Sequence, residues 1–257
     1  MPAVALTIAG SDPSGGAGIQ ADLKTFHRFG VYGEAVIALI TVQNTQTVSR
    51  VETLSVDLVV QQIRAVICDI PPDAAKTGAL GTAEIIEAVA EVAASFSFPL
   101  VVDPVMISKH GARLISADAE EALKRRLLPA ASLVTPNISE AEALSGMSIR
   151  SEEEMGRAAE RLLDFGCKAV LVKGGHLKGK PVDVLRWSGE PCSFAGVRVH
   201  TPHTHGTGCT YSAAITAGLA QGRGLLDAIS EAKEFVQRAI EQAPGLGNGF
   251  GPLNHMA

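Results

Sequence analysis

Short apolar runs alternate with segments of helical spacing along the whole chain, and this alternation restricts the folds open to it. The strand-like runs are residues 4–9, 34–42, 74–77, 99–102, 132–135 and 169–172, with a hairpin pair at 182–187 and 191–199. Helical spacing is found at residues 19–29, 56–68, 83–96, 117–128, 139–145, 152–165 and 225–243. Such alternation is typical of a mostly parallel sheet covered by helices on both faces. We therefore expect a three-layer α/β fold, formed by residues 1–257 as a single domain.

The composition excludes several classes of partner. With 22 Lys and Arg against 27 Asp and Glu, the net charge of −5 offers no electrostatic footprint for nucleic acid or an anionic membrane. No apolar run reaches about 18 residues, and the first residues do not resemble a signal peptide. We expect a cytoplasmic protein that binds small molecules. The four cysteines lack C-x-x-C spacing, which disfavours both a disulfide framework and a cysteine-rich zinc site.

The most distinctive local motif is His203-Thr204-His205-Gly206-Thr207-Gly208-Cys209-Thr210. It lies between an expected strand end at residues 197–199 and a helix expected to begin near Tyr211, so its glycines fall at a helix N-terminus. Unpaired N–H groups and the helix dipole favour an anion there. We expect the pKa of Cys209 to be lowered at this position, making it a proton acceptor or nucleophile. A lone Gly-x-Gly-Cys also occurs as a plain loop with a small buried cysteine, so the interpretation depends on context.

Polar residues fall just beyond the expected strands. They are Asp12, Gln43, Asp103, Asn137, Glu140 and Lys173. Because open α/β sheets bind ligands outside the carboxyl ends of their strands, we expect these side chains to line one crevice. Asp103 is compatible with helix capping as well as with metal binding, and Asn137 and Glu140 could equally cap the next helix. Lys173 ends an apolar strand, where an ammonium is costly unless an anion such as phosphate pairs with it.

A set of motifs, ordered along the chain from residue 6 to residue 255, resembles one known family. The motifs are Gly10-Ser11-Asp12-Pro13-Ser14-Gly15-Gly16-Ala17-Gly18-Ile19-Gln20-Ala21-Asp22, Thr41-Val42-Gln43-Asn44-Thr45, Asp103-Pro104-Val105-Met106, Thr135-Pro136-Asn137, Val172-Lys173-Gly174-Gly175-His176 and the stretch 204–210. They are similar to the hydroxymethylpyrimidine/phosphomethylpyrimidine kinases of thiamine biosynthesis, which belong to the ribokinase-like superfamily. The resemblance implies two ATP-dependent phosphorylations, of 4-amino-5-hydroxymethyl-2-methylpyrimidine and then of its monophosphate. It also suggests a homodimer.

The resemblance implies a role for each residue of the glycine motif. Cys209 occupies the position at which the sugar kinases of the superfamily have an aspartate base. The backbone of Gly206, Thr207, Gly208 and Cys209 would form the anion hole for the phosphoryl group in transit.

The resemblance also implies the nucleotide and metal ligands. Lys173 would neutralise a phosphate of ATP. Asp103 and Glu140, with Asn137 beside them, would hold Mg²⁺, a hard cation that prefers oxygen ligands. Whether a monovalent cation assists stays open.

The pyrimidine pocket implied by the resemblance is formed by five residues. Gln43 would hydrogen-bond the amino group and ring nitrogen, since its amide offers both a donor and an acceptor. Gly10 and Asp22 would place the ring and its hydroxymethyl group, and Val105 would pack on the ring face. Ala79 stands where the family usually has methionine, which leaves extra room and raises the alternative of pyridoxal-type alcohols as substrates.

The resemblance implies one mobile segment, and the sequence departs from the family pattern at one further position. Residues 107–113 are expected to close over the site and exclude water. His200 replaces a usual aspartate, and the sequence gives no account of its consequence.

Three other interpretations compete. His203 and His205, with Cys209 or His200, could form a zinc site, although the glycines fit phosphate better. Cys209 and His205 could act as nucleophile and base of a thiol hydrolase, which would leave Lys173 and the strand-end carboxylates unexplained. The same fold could also sense a pyrimidine or phosphate without catalysis.

Overall fold

A computed structural model describes residues 1–106, 115–175, 177 and 179–257 of the chain. Its centre is a nine-stranded sheet with the strand order β3-β2-β1-β4-β5-β6-β7-β8-β9. The strands are β1 Val4–Ser11, β2 Tyr32–Gln43, β3 Val48–Thr53, β4 Ala74–Thr77, β5 Leu100–Val102, β6 Leu133–Val134, β7 Ala169–Val172, β8 Val182–Trp187 and β9 Cys192–Ala195. Strands β1, β2 and β4 to β7 pair in parallel, whereas β3, β8 and β9 pair antiparallel at the two edges.

Within the described residues, eight α-helices cover the sheet on both faces. They are α1 Gly18–Arg28, α2 Val56–Asp69, α3 Ala83–Ala93, α4 Ala117–Ala122, α5 Ile138–Ser145, α6 Glu152–Leu163, α7 Thr207–Ala220 and α8 Leu225–Glu241. Helices α2 to α6 pack on one face, and α1, α7 and α8 pack on the other. Successive strand residues point to opposite faces, so Val102 belongs to the first core and Val101 to the second. The predicted three-layer α/β fold is confirmed. None of the helices in the described ranges is long and apolar enough to cross a membrane.

Helix α7 carries the glycine motif and lies almost entirely inside the protein. Its buried residues include Ala213, Ala214, Ala217 and Gly218, whose small side chains let α1, α8 and the sheet approach it closely. A Cβ on Gly218 would come within 3.0 Å of the Ala228 side chain on α8. This tight packing fixes the start of α7 relative to the ends of the central strands.

Several predicted boundaries were wrong. Strand β3 was not predicted, and residues 197–199, expected to end a strand, have no regular structure. The helix expected near Tyr211 begins at Thr207. The helix expected over 117–128 continues after α4 as a π-helical turn, Leu123–Leu127, and then a 3₁₀ turn, Leu128–Ala130, because Pro129 has no N–H to donate.

Candidate active site

A cavity of about 680 Å³ opens at the carboxyl ends of the parallel strands. Its lining includes all but one of the site residues expected from the sequence, namely Gly10, Gln43, Ala79, Asp103, Val105, Asn137, Glu140, Lys173, Gly206, Thr207, Gly208 and Cys209. The residues come from the ends of β1, β2, β4, β5, β6 and β7 and from the first turn of α7. The exception is Asp22, which is completely buried.

The glycine turn opens helix α7. Gly206 is the N-cap residue and has a φ of 81°, in the left-handed region that favours glycine. A Cβ at this position would overlap the carbonyl oxygen of Gly16, so close contact with the loop after β1 also requires glycine. Thr207, Gly208 and Cys209 form the first helical turn, whose backbone N–H groups have no partners within a helix. The cavity therefore meets the positive end of the α7 dipole.

Lys173 and Asp103 lie next to this turn. The Nζ of Lys173 is 2.9 Å from Oδ1 of Asp103, and both side chains are largely buried. A Cβ on Gly208 would lie 3.3 Å from Nζ of Lys173 and 3.7 Å from Oδ2 of Asp103. Burial raises the pKa of Asp103, but the positive charges of Lys173 and Lys76 outweigh it and leave that pKa below its ordinary value. The carboxylate is thus kept ionised beside the helix terminus.

Glu140 and Asn137 begin helix α5 at the neighbouring strand end. The side chain of Asn137 caps the helix by accepting a hydrogen bond from the Glu140 backbone N–H. The carboxylate of Glu140 in turn accepts a hydrogen bond from the Asn137 backbone N–H. Helix capping, one of the two roles left open by the sequence, is therefore present in the structure. Burial, together with the charge of Asp103, raises the pKa of Glu140 to about 7, although Lys173 opposes the shift. Near neutral pH this carboxyl group can exist in either protonation state.

Asp12 joins the loop after β1 to the glycine motif. Its Oδ2 lies 2.7 Å from Nε2 of His205, and its carboxylate also accepts hydrogen bonds from the backbone and hydroxyl of Ser14 and from the backbone of Ala17. The side chain of Gln43 lies close enough to the same carboxylate to help lower its pKa. Burial alone would raise the pKa of Asp12, but these bonds hold it well below its ordinary value. One buried carboxylate therefore holds the glycine turn through His205 and lies near the glutamine expected to bind the pyrimidine.

The expected lowering of the Cys209 pKa was wrong. Burial raises the pKa of this thiol to about 12, because desolvation of a thiolate outweighs the nearby charge of Lys76 and a bond from the Gly18 backbone. Asp22 and Asp103 add to the increase. The helix N-terminus is thus insufficient to ionise a desolvated sulfur on which the negative charges of two carboxylates also act.

Asp22 lies behind the cavity wall. Its carboxylate accepts a hydrogen bond from Thr7 at 2.6 Å and from Lys76 at 2.8 Å, so it has no direct route to a ligand in the cavity. Lys76 itself was missed by the sequence analysis. A lysine within the apolar strand Ala74–Thr77 was the available indication, because an ammonium is buried at such a place only with a partner.

The described residues show neither the ligand cluster that a zinc site requires nor the reactive cysteine–histidine pair that a thiol hydrolase requires. In the described part of the chain, no group of three or more His, Cys, Asp or Glu residues could hold a metal ion. His205 bonds to Asp12 through Nε2, and the pKa of Cys209 is raised rather than lowered. His200 is exposed, and nothing in the structure explains its presence. The expected closing segment, 107–113, and His176 lie outside the described residues.

The sheet order, the strand-end carboxylates and the glycine turn together place this molecule among the ribokinase-like phosphotransferases. A family model described as phosphomethylpyrimidine kinase matches residues 12–254. The chain belongs to the phosphomethylpyrimidine kinase family.

Individual relatives agree with this assignment. A hydroxymethylpyrimidine/phosphomethylpyrimidine kinase from Streptomyces coelicolor is 45% identical, over 99% of this chain and 94% of its own length. The crystal structure of a phosphomethylpyrimidine kinase from Clostridium difficile 630 has a TM-score of 0.83 and 45% identity, covering 93% of this chain and 99% of that one. An ADP complex of Bacillus subtilis pyridoxal kinase has a TM-score of 0.92 and 39% identity, covering 100% and 98% of the two chains.

Proposed function

We propose that this chain transfers the terminal phosphoryl group of ATP to the alcohol of 4-amino-5-hydroxymethyl-2-methylpyrimidine, and then phosphorylates the monophosphate to the diphosphate, within thiamine diphosphate biosynthesis. The observation that carries the proposal is the position of Lys173 and Asp103 around Gly208, in the cavity that also contains Gln43. The names of the relatives from Streptomyces coelicolor and Clostridium difficile 630 support these substrates, and the ADP complex of the Bacillus subtilis kinase supports nucleotide use.

The glycine turn is suited to the transferring phosphoryl group. In phosphoryl transfer the charge is spread over the equatorial phosphate oxygens, so catalysis depends on positioning and electrostatic stabilisation. The backbone N–H groups of residues 206–209 would donate to those oxygens at the start of α7. Lys173, whose Nζ lies beside Gly208, would neutralise a phosphate of ATP.

Asp103 and Glu140 are the residues that would hold Mg²⁺, with Asn137 beside them. Burial and the adjacent Asp103 charge raise the pKa of Glu140, so a cation shared by the two carboxylates would relieve their repulsion. Two carboxylates do not form a complete metal cage, which suits an ion that retains waters and binds phosphate oxygens. When bound, Mg²⁺ stabilises the negative charge of the phosphates.

Cys209 is the residue proposed to accept the proton of the alcohol. As the alcohol oxygen bonds to the γ-phosphorus, the O–H electron pair stays on that oxygen and the proton passes to Sγ. The bond between the γ-phosphorus and the bridging oxygen breaks, and ADP leaves with its electron pair. Acceptance of the proton requires the thiolate, which burial disfavours in the unliganded protein.

Gln43 is proposed to recognise the pyrimidine. Because a carboxylate accepts hydrogen bonds only, the amide of Gln43 would turn one N–H toward the nearby Asp12. The remaining N–H and the amide oxygen can then bond to the ring nitrogen and amino group. Gly10, Val105 and Ala79 would form the walls around the ring.

Asp22 is proposed to help place the hydroxymethyl group only indirectly. Its carboxylate bonds to Lys76, and both side chains are fully buried. Any influence of Asp22 on the substrate therefore passes through neighbouring groups, namely Lys76 in the ion pair and Cys209, on which its charge acts.

The active form is proposed to be a homodimer of single-domain chains, each formed by residues 1–257. Ile40 and Val42 lie two residues apart on β2 and are exposed, next to the outer strand β3. An exposed apolar pair beside a sheet edge favours contact with a second copy. Light scattering of the purified protein measures this directly: twice the chain mass of 26.7 kDa is expected, and the mass of one chain contradicts the dimer.

Phosphorylation of pyridoxal-type alcohols is the second candidate function. The alanine at position 79 leaves more room in the cavity than the methionine usual in the family, and the Bacillus subtilis pyridoxal kinase has the same fold with a TM-score of 0.92. A larger ring could use that room.

An ADP-release assay tests both candidates. The hydroxymethylpyrimidine, its monophosphate and pyridoxine are compared side by side at equal ATP and Mg²⁺. We expect both pyrimidines to release ADP with a higher kcat/KM than pyridoxine. The opposite order would favour the second candidate, and ADP release that is independent of all three would eliminate the kinase function.

A further inference from the structure

Gln43 is followed by a tight turn that its own hydrogen bonds hold together. Gln43 ends β2 at a register shift with β3, an irregularity of the kind that re-aims a side chain. The backbone N–H of Asn44 donates to the carbonyl oxygen of Thr47 at 3.0 Å, and Oδ1 of Asn44 accepts from the backbone N–H of Thr47 at 3.0 Å. A displacement of Thr45, at the tip of this turn, is therefore transmitted to Gln43.

A segment near the C-terminus, residues 247–255, holds the tip of the turn. The backbone N–H of Phe250 donates to the carbonyl oxygen of Thr45 at 2.7 Å, and that of Gly249 donates to Oγ1 of Thr45 at 3.3 Å. A Cβ on Gly249 would overlap the carbonyl oxygen of Thr45, and a Cβ on Gly247 would overlap its side chain. Glycine is needed at both positions for the two segments to approach so closely.

The other end of segment 247–255 is attached to the glycine turn. The carbonyl oxygen of Gly251 accepts a hydrogen bond from the backbone N–H of His205 at 3.0 Å. Leu253 is buried in the core. Further along, Nε2 of His255 lies 3.1 Å from Oγ1 of Thr210 in the first turn of α7. The segment thus connects the start of α7 with the turn that follows Gln43.

We propose that segment 247–255 is a clamp that positions Gln43 relative to the glycine turn, with Gly249 and Thr45 as its positioning residues. The proposal rests on the proposed role of Gln43 in binding the pyrimidine, and deepens it. The ring and the transferring phosphoryl group would be held by different elements, β2 and α7. Phosphoryl transfer requires the alcohol and the phosphate at a fixed separation, and a segment bonded to both elements sets it.

The two ends of the clamp are secured to different degrees. His205 is held a second time by Asp12, whose Oδ2 lies 2.7 Å from its Nε2, and the helix behind it is mostly buried. Thr45 lies instead on a surface turn in which Asn44 and Thr47 are exposed. Opening the clamp should therefore displace Gln43 and leave the glycine turn in place. Use of the pyrimidine should be impaired, whereas binding of ATP should not.

The first variant is Gly249→Ala, whose new Cβ forces the clamp away from Thr45. Its matched control is Gly224→Ala at the start of α8, where a Cβ would make an ordinary contact of 3.6 Å with Asp227. Neither glycine has a positive φ, so backbone strain does not distinguish the two variants. Circular dichroism and urea unfolding verify that both are folded.

The ADP-release assay, with each substrate varied in turn, measures the effect. In Gly249→Ala we expect kcat/KM for the hydroxymethylpyrimidine to fall about tenfold or more, because the ring is misplaced relative to the phosphate. The KM for ATP should stay within about twofold of the wild type. Gly224→Ala should leave both constants unchanged. A normal kcat/KM for the pyrimidine in Gly249→Ala would overturn the proposal.

A double-mutant cycle with Gln43→Ala separates positioning from a general structural defect. Such a defect would lower kcat/KM by the same factor whether or not Gln43 is present. In the Gln43→Ala background the clamp has no amide to position, so adding Gly249→Ala should lower kcat/KM by less than about threefold. Equal losses in the two backgrounds would overturn the proposal.

A second pair of variants serves if Gly249→Ala does not fold. Thr45→Val removes the hydroxyl that accepts from Gly249 and preserves the shape of the side chain, whereas Thr45→Ser retains the hydroxyl. We expect the KM for the pyrimidine to rise about threefold in Thr45→Val and to stay close to the wild type in Thr45→Ser. Equal values in the two variants would overturn the proposal.

Hydrogen exchange without substrate tests the clamp separately from catalysis. In Gly249→Ala the amide of Phe250, which donates to Thr45, should exchange about tenfold faster than in the wild type, while the amide of His205 keeps its rate. Unchanged exchange at Phe250 would overturn the proposal and leave the proposed kinase activity intact. Conversely, a wild-type protein that releases no ADP with the pyrimidine would remove the proposed function, whereas exchange at Phe250 would still show whether the clamp exists.

Discussion

Asn137 and Glu140 cap the start of α5 reciprocally. The Oδ1 of Asn137 accepts from the backbone N–H of Glu140 at 3.0 Å, and the Oε2 of Glu140 accepts from the backbone N–H of Asn137 at 2.8 Å. Both residues also line the cavity. The carboxylate proposed to bind a cation is therefore held rigidly by the helix that it opens, before any ligand arrives.

The first prediction concerns the pH dependence of stability through Glu140. Burial and the charge of Asp103 raise its pKa from 4.5 to about 7, so in this range the folded protein keeps a proton that the unfolded chain releases. The unliganded protein should lose roughly 2 kcal/mol of unfolding free energy as pH rises from about 5 to about 8. Glu140→Gln preserves the capping geometry but does not titrate, so it should show a flatter dependence. Urea unfolding at the two pH values measures the difference.

The control for this measurement is Glu87→Gln, at an exposed position on α3. It should retain the wild-type dependence on pH. Parallel curves for the wild type and Glu140→Gln would show that Glu140 is not protonated in the folded protein.

Replacement of the proposed base should affect turnover rather than nucleotide binding. In Cys209→Ala we expect kcat to fall about 10²-fold or more, because the variant has no side chain to accept the alcohol proton. The Kd for an ATP analogue, measured by calorimetry, should stay within about twofold of the wild type, since the backbone amides of the turn remain. Cys68→Ala, on the exposed end of α2, is the matched control. Turnover close to normal in Cys209→Ala would refute its role.

Gln43 should control affinity for the pyrimidine. Gln43→Ala removes the amide proposed to bind the ring, so the KM for the hydroxymethylpyrimidine should rise more than the KM for ATP. Steady-state kinetics with each substrate varied in turn provide both constants. Gln46→Ala, an exposed glutamine three residues further along, should leave both unchanged. Equal increases in the two constants would contradict the assignment.

Ala79 should set the breadth of alcohols accepted. Ala79→Met fills space in the cavity, so activity on pyridoxine should fall selectively while the hydroxymethylpyrimidine is still phosphorylated. The ratio of kcat/KM values for the two alcohols is the relevant measurement. Ala94→Met, on the exposed end of α3, controls for the substitution itself. A substrate profile unchanged from the wild type would contradict the claim that Ala79 determines which alcohols are accepted.

The central layers of the fold could be predicted because parallel strands are buried on both faces. Ala169–Val172 is apolar throughout, and its limits were predicted correctly. Strand β3, with the sequence Val-Ser-Arg-Val-Glu-Thr, is mostly exposed at the sheet edge, so it lacks the apolar run by which the other strands were recognised. Helix α7 was expected too late because its first turn consists of Thr207, Gly208 and Cys209, which resemble a loop in sequence.

The charges of the site could not be predicted from local sequence. The pKa of Cys209 depends on burial and on Lys76, Asp22 and Asp103, which come from β4, from α1 and from the loop after β5. The sequence correctly predicted that the strand-end residues lie along one edge of the sheet. This was possible because the apolar run of each strand shows where that strand ends. Which residues bond to one another depends on packing across the sheet, and Asp22 is the clearest case, since its partner is a lysine 54 positions away.

The most direct test is a crystal structure with a non-hydrolysable ATP analogue and the hydroxymethylpyrimidine bound together. We predict that the γ-phosphate oxygens lie within hydrogen-bonding distance of the backbone N–H groups of residues 206–209, and that Sγ of Cys209 faces the substrate hydroxyl. A nucleotide bound away from that turn, or a sulfur turned away from the alcohol, would contradict the account.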